Sequence, residues 1–179
     1  MASIISALTT SQIAGLDTAS IAGLTTADWA AFSSAQIAAL STTHIAAIST
    51  AGIGAITTSA MTGWETTDLA LFSSQQVRAI ATDDLVALGT TQIEGFTSSQ
   101  VAALNTAQVR ALETADIVAL GSADVAAMAT AQVAAMATSQ IDALTTAQVA
   151  NLGTSQVAAL GTAQVVALGT ADMVALTSS

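Results

Sequence analysis

His44 is the single histidine of the 179 residues, and the chain has no cysteine. Acid–base or metal chemistry would have to be built from that imidazole, twelve carboxylates and many hydroxyls. A metal centre or a general base needs partners at defined spacing, and no set of partners converges on His44. It stands where neighbouring segments carry Gln or Asp, so it reads as a substitution at a polar capping position. Asp28, Asp68, Asp84, Asp116, Asp124 and Asp172 recur at that same position. A calcium ion takes six or more oxygens, which calls for carboxylates closer together in space. Placement in the first turn of a helix, where the dipole favours an acid, accounts for these residues more simply. Asp83–Asp84 is the densest acidic pair. The many Ser and Thr residues lack a matched base for nucleophilic work, and no GxGxxG or GxxxxGK[ST] loop is present to cradle a phosphate. The sequence therefore predicts no catalytic residue, no cofactor-binding residue, no metal ligand and no enzyme.

What positions these residues is an unbroken eight-residue repeat. From Leu8 to Ala175 the chain divides into 21 octads, each opened by a large apolar residue. Such internal repeats set the architecture before any local reading. Numbered from that residue, position 1 is mostly Leu, with Phe32, Trp64, Phe72 and Phe96 among its variants. Position 6 is always apolar, position 3 is always Ser or Thr, position 5 is usually Gln or Asp, and position 8 is nearly always Ala or Gly. Position 7 drifts and carries Arg78, Glu94, Arg110 and Asp142, which marks the solvent side.

Position 6 and the next position 1 are three residues apart, on one face of a helix. Ser or Thr at position 3 reads as the N-cap, with the helix over positions 4 to 8 or 9. Gly89, Gly121 or Asn105 at position 2 suits a left-handed residue after the helix end. One continuous helix is disfavoured, because its apolar stripe would drift by about 80° per octad. The predicted fold is all-α: an elongated solenoid or superhelix of very short capped helices joined by two-residue corners, continuous over residues 1–179. A β-solenoid is the alternative, since Thr, Val and Ile suit strands. All five aromatics fall at positions 1 or 6 and read as core.

A longer period is also visible. VRAIATDDLVALG at 77–89 aligns with VRALETADIVALG at 109–121, a shift of four octads. Either a block of four octads has been duplicated, or four octads complete one or two turns; Phe32, Trp64, Phe96 and Met128 stay in phase outside the best-matching block, which favours the second. Residues 48–63, with Gly52, Gly54 and Ala60, are the least regular stretch and are expected to pack most loosely. Both ends read as interior repeats without the polar caps that solenoids need.

Composition excludes several partners. The net charge is -10, with two Arg and no Lys, so the chain lacks the cations that displace counterions from nucleic acid or bind an anionic membrane. No apolar run approaches the roughly 20 residues of a membrane span. The start, MASII, lacks the basic flank of a signal peptide. The expected partners are the chain itself, end to end or side by side, or neighbouring domains of a longer chain.

The unit LTTAQVAAL at 144–152 resembles the Ala/Thr-rich tandem repeats of large secreted or surface proteins of bacteria, of the adhesin-like kind. That resemblance implies a structural protein outside a bacterial cell: a non-catalytic stalk, spacer or filament-forming segment. LGTAQVVAL at 160–168 is locally similar to the first short helix of TAL-effector repeats, whose base-reading loops are missing here. No site residue carries over from either family. The alternative function is a repetitive binding surface, for ice or a peptide, along the Thr/Ser row.

Overall fold

The computed structural model describes residues 3–176. After a single 3-10 turn at Ile5–Ala7, the described chain forms 21 short helices and no strand, from α1 (Thr10–Ala14) to α21 (Thr170–Leu176), one per octad. The helices have four to seven residues. None of this length is stable alone, so packing between octads must hold them.

Each helix begins one residue earlier than the sequence suggests. In α18 (Thr146–Ala150) the N-cap is Thr145, at position 2, with extended backbone angles of φ -71° and ψ 151°. The Thr145 N–H donates to Gln148 Oε1 at 2.8 Å, and the Gln148 N–H donates to Thr145 Oγ1 at 3.2 Å. This reciprocal capping box places the cap three residues before the Gln, and counting back from position 5 gives position 2. The Ser or Thr at position 3 is then the first helical residue rather than the cap.

The glycines at position 2 are caps of the same kind, not left-handed residues. Gly89 has φ -72° and ψ 158°, and no described residue has a positive φ. Only the backbone half of the box survives there, as in Gly161 N–H to Gln164 Oε1 at 2.9 Å. The corner is an extended residue at position 1 followed by the extended cap at position 2. Two extended residues turn the chain without a left-handed step.

Three octads complete a turn. Helix packing joins each helix to the third one along, from α1 with α4 (Ser34–Ile37) to α18 with α21. The expected four-octad turn is therefore not found. The four-octad spacing of Phe32, Trp64 and Phe96 places them on different sides of the coil, whereas Phe72 and Phe96, three octads apart, lie one turn apart on the same side.

Positions 6 and 1 fill the axis with one continuous apolar core. Position 6 is fully enclosed from Ile13 to Val149. At about 1.5–3 kcal/mol for each large aliphatic side chain buried, this row is the main source of cohesion. Small residues at position 8 let one turn lean on the helix start of the turn before. At Gly63 an added Cβ would collide with the Ser34 carbonyl, so no larger residue fits there.

Residues 48–63 pack tightly, contrary to expectation. Gly52 and Ala60 are buried, and a Cβ on Gly52 would sit 2.7 Å from Trp29 Nε1. The missing side chain makes room for the indole, which stacks on Phe32 with ring centroids 4.8 Å apart. The irregularity is local compensation for a large core residue.

Candidate functional site

The residues with chemistry line up as the sequence suggests, at position 5, but inside the solenoid rather than on it. Gln108 is 1 % exposed. Its Oε1 accepts the Asn105 N–H at 2.9 Å, and its Nε2 donates to the carbonyls of Val77 and Ile80, both at 2.8 Å. Those carbonyls belong to the end of α9 (Ser74–Ala79) and its corner, in the preceding turn. The last carbonyls of a helix lack intrahelical partners, and here the side chain of a later octad supplies them. One amide thus caps its own helix at the start and an earlier helix at the end. Gln36, Gln76, Gln100, Gln132, Gln140 and Gln148 make the same two contacts 28 and 31 residues back.

His44 fits the same mould. Its Nδ1 accepts the Ser41 N–H at 3.2 Å and its Nε2 lies 2.8 Å from the Leu16 carbonyl oxygen. A carbonyl only accepts, so Nε2 carries the proton and the ring copies the acceptor and donor of a glutamine. With both nitrogens engaged and the ring 4 % exposed, the imidazole is a structural member of the row, as its position predicts.

Aspartate solves the position differently. Its carboxylate keeps the capping contact, as in Gly121 N–H to Asp124 Oδ2 at 2.9 Å, but cannot donate to carbonyls. The other oxygen instead accepts from the position-3 hydroxyl of the preceding turn: Thr58 to Asp84 at 2.7 Å, Thr90 to Asp116 at 3.0 Å, and Ser98 to Asp124 at 2.6 Å. This partnership is a use of position 3 that sequence reasoning missed. Its signal lies in pairing the Asp octads with hydroxyls one turn back, which needs the turn length first. Asp68, buried at 7 % exposure, has no such hydroxyl bond, and burial pushes its carboxyl above the usual carboxylate range. Asp28 is held below that range by the Thr25 hydroxyl, and Asp17 by the Ser20 backbone N–H that it caps.

Among the described residues no three His, Asp or Glu side chains gather as a metal site, Asp83–Asp84 included, and no helix is long and apolar enough to cross a membrane. Arg78 donates from Nε to the Ala103 carbonyl at 2.8 Å, another helix end capped by a neighbouring turn. The surface hollow beside it is shallow and lined mainly by backbone corners and alanines around Asn105 and Gln132.

Comparison with known proteins agrees with this repeat grammar. No curated protein and no solved structure is significantly similar to the chain. A match to the ALTTAQ repeat covers residues 30–63, 77–114, 117–154 and 147–178, well over half of the sequence. Those segments carry the position-2 cap, the position-5 amide and the apolar positions 6 and 1 on which the coil depends, and the chain belongs to the ALTTAQ-repeat family.

Proposed function

We propose that the protein is a non-catalytic structural element, a stiff stalk or spacer whose length is set by its number of octads. The observation that carries this reading is how position 5 is used. The side chains with the greatest chemical capacity, His44 included, are buried and bonded to backbone. From Gln76 to Gln164 every position-5 side chain is hydrogen-bonded to an earlier turn, in addition to the apolar packing, which favours a rod of fixed pitch over a flexible string. The likeness of LTTAQVAAL to adhesin-like repeats supports a place outside a bacterial cell, between neighbouring domains of a longer chain. A donor and an acceptor fluorophore attached at the two ends test this. Lengthening the array by one and then two whole turns should lower transfer efficiency in equal distance steps with narrow distributions. A broad distribution, or no regular step, would sink the spacer.

A second reading rests on position 3. Its hydroxyls at Thr10, Thr106 and Thr130 are exposed, uniform in chemistry and bonded to no described side chain, which suits a binding surface for ice or a peptide. Thr→Lys at Thr106, Thr130 and Thr154 together should then abolish inhibition of ice recrystallisation. A wild-type chain with no such inhibition removes the ice form of this reading.

A further inference from the structure

One interface between interior turns is built differently from the rest. Position 5 of three consecutive octads is Gly52, Ala60 and Asp68, which together make one full turn of the coil. By the 28- and 31-residue reach of the clamps, glutamines there would bond the carbonyls of Ile21 and Leu24, Trp29 and Phe32, and Ile37 and Leu40. Among the described residues, no hydrogen bond crosses from residues 3–40 to residues 45–173, although Gln36 and His44 clamp the turns below and Gln76 clamps the turn above.

Three further features gather at this seam. The helices of only four residues are α3 (Thr26–Trp29), α4, α6 (Thr50–Ile53), α7 (Thr58–Met61) and α8 (Thr66–Leu69), and all lie on its two sides. Across it, α5 (Thr42–Ala47) and α8 pack least closely of all the helix pairs one turn apart. The indole N–H groups of Trp29 and Trp64, on opposite sides, are buried without a hydrogen-bond partner, and each such group is destabilising. The seam cannot simply regain its clamp at Gly52, because a Cβ there would sit 2.7 Å from Trp29 Nε1. Aromatic and aliphatic packing hold this interface, whereas hydrogen bonds reinforce those closed by Gln76 to Gln164.

We propose that this seam is a yield point: under strain the coil parts first between the turn of α3 to α5 and the turn of α6 to α8, while the turns clamped from Gln76 onward stay closed. In a solenoid the stability is a sum of interface contributions, so the interface that lacks one of them opens at the lowest free energy. A rod with such a seam gives way at one place and closes again there. The proposal rests on the spacer reading for this purpose, but the opening is measured without load and fails separately.

The test is hydrogen–deuterium exchange of the full chain, resolved by peptide. Amides of residues 26–70 should exchange about tenfold or more faster than those of residues 98–127. Asp68→Gln supplies an amide within reach of the Ile37 and Leu40 carbonyls. It should slow exchange in 26–70 by about tenfold and leave 98–127 unchanged. Asp68→Asn also removes the charge but is one methylene too short, and should slow exchange much less. Ala60→Gln gives a second check through the Trp29 and Phe32 carbonyls. Gln140→Ala, which removes the bonds to Val109 and Leu112, should create a second fast region at that corner. Equal protection of 26–70 and 98–127 overturns the yield point and leaves the regular length steps of a spacer untouched. So does a smooth gradient that ignores both glutamine variants. Equal gains from Asp68→Gln and Asp68→Asn would trace the weakness to a buried charge instead of a missing clamp, and overturn it as well.

Discussion

At the residue scale, stability is concentrated in the position-5 amides. Replacing Gln108 with Ala leaves the Ile80 carbonyl and the Asn105 N–H without the amide and takes one of two bonds from the Val77 carbonyl, which keeps the Ile80 N–H. Buried unsatisfied groups cost about 1–3 kcal/mol each when a partner is removed, and part of that loss is recovered by water and relaxation. Gln108→Ala should therefore lower stability by about 2–4 kcal/mol in denaturant unfolding followed by circular dichroism. An effect under about 0.5 kcal/mol, the usual range of a surface change, would remove the amide from the account. His44→Gln should be close to neutral in the same assay, because the ring already plays the glutamine's part. Asp68 gives a pH test with a defined sign. Its carboxyl is raised by burial, so the folded state holds the proton more tightly than the unfolded chain, whose value is near 3.8. Stability is favoured at low pH and lost as pH rises through the raised value. Asp68→Gln should then stabilise the protein at neutral pH, and the advantage should shrink once the pH drops below that range. Asp17 and Asp28 act in the opposite sense, since their lowered carboxyls contribute stability that disappears only as the acid range is entered.

At the element scale, each helix is too short to fold alone and is defined by its two caps, one local and one borrowed. This is where sequence and structure part company. The eight-residue period, the apolar rows at positions 1 and 6 and the helical character are all readable from residue types, because they follow from helical geometry and burial. The cap position is ambiguous in the sequence because positions 2 and 3 are both often hydroxyl residues, as in Thr145–Thr146, and only the bond to Gln148 separates them. The second job of glutamine, and the use of position 3 beneath an aspartate, are contacts 26 to 31 residues away. They depend on the turn length, which no local pattern encodes. The structure makes the difference testable. Thr90→Val removes the hydroxyl that Asp116 accepts from and should cost about 1.5–3 kcal/mol, the range for hydrogen bonds to charged groups. Thr106→Val lies one turn below Gln132 and should change stability by less than about 0.5 kcal/mol, as expected at an exposed site without partners. Equal costs at the two positions in thermal unfolding would return position 3 to a capping role.

At the scale of the whole molecule, cohesion runs along one axis. Each turn touches only its neighbours, so stability is a sum of repeat and interface contributions, and the hydrogen-bonded clamps recur along the rod with a gap at Gly52, Ala60 and Asp68, where apolar packing alone joins the turns. The one-octad and four-octad periods are both real in the sequence, yet only the first has a structural counterpart. The turn is set by the angle each corner makes, and two extended residues per octad bring the chain round in three steps. That three-octad turn is the claim on which the clamps, the aspartate–hydroxyl pairs and the spacer reading all depend. Pyrene excimer emission tests it directly, and the absence of native cysteine makes labelling specific. Ala14, Ala22, Ala38 and Ala46 are exposed position-7 sites. A chain labelled at Ala22→Cys and Ala46→Cys, three octads apart, should show strong excimer emission. Pairs two octads apart (Ala22→Cys with Ala38→Cys) and four octads apart (Ala14→Cys with Ala46→Cys) should emit as monomers. Excimer emission strongest for the four-octad pair would mean a four-octad turn and would contradict the account.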